Sequence, residues 1–315
     1  MSASVDPSPS ATRSVAQVHR TAKTSGSNVW QRFRHHPGAL AGAVVLGCLV
    51  LSAILAPLSP YDPETSDIGV RLNAPSWEHP MGTDALGRDL LTRLLYGGRI
   101  SLSVGVMVVI IALVIGIPVG AVAGFFGGWV DDLLMRLTDA ALSLPALLVL
   151  ILMSAFLREV ELPFLRSNSV ATIAFIIGSL SWMTVARLVR ASYLTIRELE
   201  FITAARCLGA SDLRIMARHI LPNAVGPIIV ESTLEVGYAI MEESGLSFLG
   251  FGVQPPTPSW GNLLSDAQEH LTLHPWLAIF PGLMIFQAII SVNYIGDGIR
   301  DAFDPYRVLK KVGEV

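Results

Sequence analysis

The sequence predicts an all-α membrane protein with six transmembrane helices. Of its 315 residues, 52% are hydrophobic and only 15% are charged, and the mean hydropathy is +0.56. One soluble core of this size does not need so much apolar surface. Long apolar segments follow one another along the chain, and Lys and Arg are concentrated in alternate connections between them. No basic run with interleaved aromatic residues suggests nucleic-acid binding.

Six segments have the length of about 20 residues that a transmembrane helix requires. The predicted spans are Gly38–Leu58, Ser101–Phe126, Leu137–Leu157, Val170–Leu188, Ala224–Leu249 and Trp276–Ile299. The fifth is the least apolar, because it contains Glu231, Glu235, Glu242 and Glu243.

The distribution of basic residues predicts that both termini are cytoplasmic. With the N-terminus inside, the inner segments hold 16 Lys and Arg and the outer segments hold 6. Such an excess is typical of the cytoplasmic side. This arrangement requires an even number of spans, so the fifth segment should count as one.

The expected organisation is a membrane domain between two cytoplasmic tails. Residues 1–37, rich in Ser, Ala and Thr, form a mostly disordered tail; residues 38–299 form the membrane domain, and residues 300–315 form the second tail. External loops are expected at 59–99 and 250–274, and a long cytoplasmic loop at 189–223. The two cysteines, Cys48 and Cys207, lie in different environments and should not pair, and no metal-ligand spacing involves them.

The most informative stretch is Phe201–Pro222, which we call the docking segment. It is polar and lies between two apolar spans. Gly209 can supply the left-handed residue that ends a helix, and Ser211 can cap the next helix, so we expect a helix–turn–helix. Six arginines occur in or just before the segment: Arg187, Arg190, Arg197, Arg206, Arg214 and Arg218. Small Ala204 and Ala205 would let a partner approach closely, although an amphipathic hairpin on the membrane surface has the same pattern.

The docking segment resembles the loop called EAA in the membrane subunits of bacterial ATP-binding-cassette (ABC) importers. Ala204, Ala205 and Gly209 match that pattern, as does Ile220-Leu221-Pro222, whereas Thr203 replaces the usual acidic residue. The resemblance implies that the turn contacts a cytoplasmic ATPase. The residues implied in this contact are Thr203, Ala204, Ala205, Leu208, Gly209, Ala210, Ser211 and Asp212.

Two further stretches resemble one branch of this family. His79–Leu102 and Leu246–Leu264 are similar to segments of the second membrane subunit of dipeptide and oligopeptide permeases. The resemblance implies the type I ABC importer permease fold and a bacterial inner-membrane location. It also implies a related permease subunit as heterodimer partner, cytoplasmic ATPases that bind ATP and Mg, and an external solute-binding protein. The chain itself is expected to hold no cofactor and no catalytic site, and the cargo could be a dipeptide, an oligopeptide, a nickel chelate, a glutathione-like compound or haem.

Several acidic residues could carry function. Glu231, Glu235 and Glu242 are spaced so that a helix places them on one stripe, and charged side chains inside a membrane usually face protein or water. The stripe therefore predicts a translocation pathway, unless Glu231 pairs with a structural neighbour and Glu242 lies at the headgroups. Secondary pathway candidates are Ser181, Trp182, Thr184, Asn293 and Asp297.

Other features have structural interpretations. His79, Asp84 and Asp89 lack the spacing of a catalytic metal site and should form turns and ion pairs. Trp129 and Asp131 could contact an ATPase or end a helix.

Two alternative functions remain open from the residues alone. An ion-gradient-driven transporter or channel could use the acidic fifth span. An intramembrane enzyme is a weaker alternative, because the chain lacks HExxH and GxSxG. It also lacks the phosphate-binding loop of an ATPase.

Overall fold

The computed structural model of the protein describes residues 30–31, 33–159 and 169–303. These residues form helices joined by loops, with no β-strand among them. Residues 1–29 and 304–315, which contain most of both predicted tails, lie outside the described residues. The helices are α1 Pro37–Ile54, α2 Leu90–Phe126, α3 Gly128–Leu142, α4 Ala146–Glu159, α5 Ser169–Arg197, α6 Glu200–Cys207, α7 Leu221–Phe248, α8 Trp260–Asp266 and α9 Trp276–Phe303.

Five helical stretches of the described chain are long and apolar enough to cross a membrane, and a sixth exists only if α3 and α4 count together. The prediction of one continuous third span over Leu137–Leu157 is wrong, because α3 and α4 meet at 86°. The break lies at residues 143–145. Pro145 has no N–H for the helix, and the proline ring disfavours helical geometry at Leu144.

The other predicted spans each overlap a helix. Two of these helices extend well beyond the predicted limits: α2 begins at Leu90 rather than Ser101, and α5 continues to Arg197 rather than ending at Leu188. The ends of the predicted loops at 59–99 and 189–223 are therefore helical. The polar residues in these stretches had predicted loops. Polar residues also occur in a helix, however, where it projects beyond the membrane.

Among the described helices, the most extensive contact joins α2 to α5. Gly116, Gly120 and Gly124 lie at intervals of four on one face of α2. A Cβ atom on these glycines would lie 2.7 Å from the Trp182 carbonyl oxygen, 2.3 Å from that of Ala186 and 2.7 Å from that of Arg190, respectively. No real side chain fits at such distances, so the two backbones meet directly. Small residues at intervals of four permit this approach in membranes.

The connection between α1 and α2 is held by a buried group of ionic residues. Asp84 accepts hydrogen bonds from Arg88 Nε at 2.7 Å and from Arg93 Nη1 at 2.6 Å. His79 Nδ1 lies 2.9 Å from Asp89 Oδ1, and Asp89 also caps α2 by accepting from the Thr92 N–H at 2.7 Å. These contacts agree with the prediction of turns and ion pairs for His79, Asp84 and Asp89.

Asp266, at the end of α8, lies beside the same group, and together with Asp84 and Arg88 it lines a cavity of about 450 Å³. Its Oδ2 lies 3.9 Å from Arg88 and 3.8 Å from Arg93. Burial raises the pKa of the Asp266 carboxyl, and the nearby Arg88 partly offsets this effect. The contact links the connection between α1 and α2 to the end of α8.

Glu243 is the central polar residue near the end of α7. Its side chain is completely buried and accepts hydrogen bonds from Ser101 Oγ of α2 at 2.8 Å and from Ser247 Oγ of α7 at 2.7 Å. The hydroxyl of Ser259, the capping residue of α8, also lies next to this carboxyl group. Ser101 Oγ accepts in turn from the Trp260 N–H at 3.2 Å. One carboxyl group thus connects α2, α7 and the start of α8.

We predict that Glu243→Ala lowers the thermal stability of the protein. Without the carboxyl group, each buried hydroxyl that loses its acceptor costs about 1–3 kcal/mol. Glu243→Gln keeps one oxygen and should have a smaller effect. The measurement is the unfolding temperature in detergent. The matched control is Glu269→Ala, because Glu269 is exposed in the segment between α8 and α9. Equal unfolding temperatures for Glu243→Ala and Glu269→Ala would contradict the structural role of Glu243.

Candidate functional site

The docking segment has a buried base. Ile202, Ile215 and Ile220 have no exposed surface and pack with Phe125 of α2 in one apolar cluster. The hydroxyl of Tyr193 on α5 donates a hydrogen bond to the Met216 carbonyl oxygen at 3.0 Å. The base of the segment is therefore fixed to the C-terminal ends of α2 and α5.

The predicted helix–turn–helix is confirmed, with one difference at its second cap. After α6 ends, Gly209 adopts φ +79°. Its N–H donates to the Arg206 carbonyl at 2.9 Å, and the Ala210 N–H donates to the Ala205 carbonyl at 3.1 Å, the pattern of a Schellman turn. Ser211 takes the cap position of the next turn, but its side chain makes no capping hydrogen bond. The hydroxyl instead remains on the surface.

The tip of the segment is exposed and partly apolar. Leu208 is 89% exposed and Leu213 is 75% exposed. Ala205 and Ala210 are half-buried, whereas the remaining predicted contact residues are exposed: Thr203, Ala204, Gly209, Ser211 and Asp212. These leucine side chains are highly exposed, although the base beneath them is buried. Exposed apolar side chains on a fixed base are typical of a surface that binds another protein.

The docking segment continues into α7 without a break. A single turn at Asp212–Arg214 passes into a π-helical stretch, Ile215–Ile220, and then into α7. The helix from Asp212 to Phe248 is 37 residues long. A displacement of the tip can therefore reach the acidic part of α7 through one helix, and π-helical turns frequently occur at functional positions.

Four of the six arginines that suggested a docking loop have partners inside the chain. Arg187 forms an ion pair with Asp139, and Arg190 forms a two-point ion pair with Asp131, in which one N–O distance is 2.5 Å. Arg197 donates to the Gly124 carbonyl at 2.9 Å. The guanidinium of Arg206 lies 5.5 Å from the centre of the Phe125 ring.

These contacts change the interpretation of two groups of residues. Most of the arginine cluster stabilises the inner ends of the helices, so the exposed Leu208 and Leu213 are better evidence for docking than the charge is. Asp131 is buried against Arg190 and holds α3 to α5, whereas Trp129 is 75% exposed. Asp131 therefore stabilises the packing of α3 on α5, whereas Trp129 remains at the surface.

The three glutamates of the predicted stripe are not equivalent. Glu235 is buried and its carboxyl group interacts with the Ser181 hydroxyl of α5. Glu231 and Glu242 are half-buried and lie near enough to Glu235 to interact with it electrostatically. Between them on α7, Tyr238 is 56% exposed. The stripe thus follows the edge between a packed face and an open face of α7.

The other pathway candidates do not all lie near the glutamates of α7. Asn293 on α9 is exposed, and its Oδ1 is 3.5 Å from where a Cβ of Gly237 would lie, so it borders the same face of α7. Trp182 packs instead in the inner apolar cluster. Thr184 and Asp297 are exposed on their own helices.

Sequence reasoning left Glu243 out of the pathway stripe and gave it no role. Its position beside Glu242 in an apolar segment was visible, but the serines that donate hydrogen bonds to its carboxyl group come from α2, α7 and the start of α8. Ser247, four residues later on the same helix face, was the only local signal.

Comparisons with known proteins agree with this architecture. The family model described as "Binding-protein-dependent transport system inner membrane component" matches residues 116–308. The model "N-terminal TM domain of oligopeptide transport permease C" matches residues 24–75. Together they cover most of the chain.

Curated relatives match over nearly their whole length. The dipeptide transport system permease protein of Alkalihalophilus pseudofirmus is 40% identical over 90% of this chain and 91% of its own length. The di/tripeptide transport system permease protein of Pseudomonas aeruginosa is 40% identical over 88% and 90%. The glutathione transport system permease protein of Pectobacterium atrosepticum is 38% identical over 91% and 93%.

A solved structure shares the fold. An inward-facing form of the MetNI methionine ABC transporter has a TM-score of 0.53 over 71% of this chain and 96% of that chain, with 17% identity. The helical fold, the two family matches and the extended similarity to permeases lead to one conclusion: this chain belongs to the family of inner-membrane components of binding-protein-dependent transport systems.

Proposed function

We propose that this chain is one of two permease subunits of an ATP-driven importer for dipeptides, oligopeptides or similar small solutes, with its docking segment seated on a cytoplasmic ATPase. The observation that carries this proposal is the exposed tip at Leu208 and Gly209, which is held on a buried base and joined to α7 by a continuous helix. The names of the relatives support peptides or glutathione-like compounds as cargo. Family membership favours this function over an ion-gradient transporter.

The remaining partners follow from the same proposal. ATP and Mg are bound by the ATPase subunits, a related permease supplies the other half of the pathway, and an external solute-binding protein delivers the cargo. Both termini and the docking segment then face the cytoplasm. The loops at 59–99 and 250–274 face outward, with the Asp266 contact to Arg88 and Arg93 between them.

The mechanism is mechanical coupling. Closure of the ATPases on ATP moves the tip of the docking segment, and the buried base transmits this movement to α7. The open edge of α7, with Glu231 and Glu242 beside exposed Tyr238, borders the pathway. Carboxyl groups at membrane depth are costly in lipid, which supports the second permease or a water-filled cavity as their surroundings.

We expect Leu208→Ala to weaken the binding of the ATPase subunits. Loss of a leucine side chain that would be buried in the contact removes about 2 kcal/mol, or about 30-fold in affinity. The measurement is ATPase recovery when the tagged complex is purified from its native membrane, together with peptide-stimulated hydrolysis. The control is Leu273→Ala, since Leu273 is 78% exposed on an external loop. A wild-type complex that contains no ATPase would refute the proposed function; equal recovery from both variants would refute only the contact at Leu208.

A second prediction separates coupling from backbone strain. Gly209→Val should abolish most transport while the protein remains in the membrane, because a β-branched side chain at φ +79° distorts the turn that contacts the ATPase. The left-handed conformation costs about 1–2 kcal/mol for a residue with a Cβ.

Gly250→Val is the matched control for this strain. Gly250 has φ +80° and ends α7 with the same pair of hydrogen bonds, from Gly250 N–H to Ser247 at 3.0 Å and from Phe251 N–H to Leu246 at 2.8 Å. A Cβ at either glycine meets no atom within 4 Å. ATPase stimulation by cargo should persist in Gly250→Val and be lost in Gly209→Val. If cargo stimulates both variants equally, the coupling assignment of Gly209 is wrong.

A third prediction tests the pathway. Cysteines at positions 231 and 242, in a chain with Cys48→Ser and Cys207→Ser, should react rapidly with a water-soluble thiol reagent in the assembled transporter. A cysteine at Val114 is the control, because Val114 is 67% exposed within the most apolar helix and lipid or an apolar partner surface excludes water from it. Reaction at 231 and 242 no faster than at 114 would remove them from the pathway.

A further inference from the structure

Helix α3, the first arm of the bent pair, has an apolar stripe that nothing in the described chain covers. Trp129, Leu133 and Leu137 follow one another at intervals of four, so they share one face of the helix. Their exposed fractions are 75%, 60% and 63%, respectively. A single exposed leucine needs no explanation, but three aligned large side chains form a continuous apolar surface.

A charged stripe runs beside the apolar one. Asp132, Arg136 and Asp139 are all exposed and repeat at intervals of four and three. The face that packs on the protein contains Asp131 and Thr138, which are buried. The outer side of α3 is therefore divided along its length into an apolar half and a charged half. This division is typical of a helix that lies in the boundary between lipid and water.

The ion pairs show that α3 crosses the spans obliquely. Asp131 and Asp139 are eight residues apart, about 12 Å along α3, yet their partners Arg190 and Arg187 are three residues apart, about 4.5 Å along α5. Two parallel helices would keep these separations equal. The 86° bend between α3 and α4 means that these two helices cannot both run parallel to the neighbouring spans.

Helix α3 starts at one end of two candidate spans. It begins directly after α2 ends at Phe126, beside the point where Arg197 at the end of α5 binds the Gly124 carbonyl. Trp129 is thus close to the ends of two spans, where tryptophan is enriched. At the other end of α3, the exposed apolar surface continues along α4 through Leu147, Leu148, Leu152 and Phe156.

We infer that α3 is an interfacial helix that binds the lipid surface, with Trp129, Leu133 and Leu137 inserted at the boundary between headgroups and acyl chains and with Asp132, Arg136 and Asp139 facing water. Asp131, Asp132 and Asp139 are balanced by Arg136, Arg187 and Arg190. The contact consequently depends on apolar burial rather than on anionic lipid. It anchors the inner end of α5, which carries the Tyr193 contact to the docking segment.

The test uses spin labels in the complete transporter in phosphatidylcholine nanodiscs. Single cysteines replace Leu133, Leu137, Asp132 or Arg136 in a chain with Cys48→Ser and Cys207→Ser. For each label, the accessibility to oxygen, which concentrates in lipid, is compared with that to a water-soluble nickel complex. Asp132 and Arg136 provide matched controls on the same helix, and variants are used only if they retain the ATPase activity of the parent complex.

The expected result is an oxygen-to-nickel ratio severalfold higher at 133 and 137 than at 132 and 136. The ratio at 133 and 137 should not change when anionic lipid is added. Labels at 133 and 137 that neither reagent reaches would mean that a partner subunit covers the stripe, and the inference would be wrong. Nickel access at 133 and 137 equal to that at 132 and 136 would place the stripe in water and would equally overturn it. Both outcomes leave the proposed importer function intact, since that function is tested at the docking segment.

Discussion

Direct contact between the backbones of α2 and α5 determines the position of most functional groups in this protein. Gly116, Gly120 and Gly124 permit that contact, and any side chain in their place would overlap a carbonyl group of α5. Lipid tails supply no hydrophobic driving force between helices, so close packing of this kind is a main source of helix association in a membrane. The separation and register of α2 and α5 follow from it.

The register of α5 then places four groups in sequence along the membrane. Ser181 meets Glu235 of α7, Arg190 holds Asp131 of α3, Tyr193 binds the docking segment, and Arg197 binds the end of α2. A change at the glycine contact would shift all of these together. This half of the molecule is therefore one connected unit, which supports the proposed transmission of a displacement from the docking tip to the spans.

The acidic residues of α7 differ in the number of hydrogen-bond partners around their carboxyl groups. Glu243 has serine hydroxyls around its carboxyl group and joins α2, α7 and α8. Glu235 has one such partner, while Glu231 and Glu242 lie toward the open edge. Buried polar groups need hydrogen-bond partners, and the number available to each glutamate separates the structural residue from the pathway candidates. The same helix can therefore be fixed firmly at its outer end and still present carboxyl groups to a pathway.

The sequence by itself determined the class of protein, the approximate positions of five spans, the turn at Gly209 and the family, because apolar length, helix-ending glycine and a long shared pattern are local properties. It did not reveal the break before Pro145, since the apolar run continues through it, or the internal ion pairs of the arginines. Only the tertiary structure decided these points, together with the role of Glu243 and the exposure of Leu208. Each depends on which residues of distant helices meet, and that is set by packing between helices rather than by spacing along any one of them.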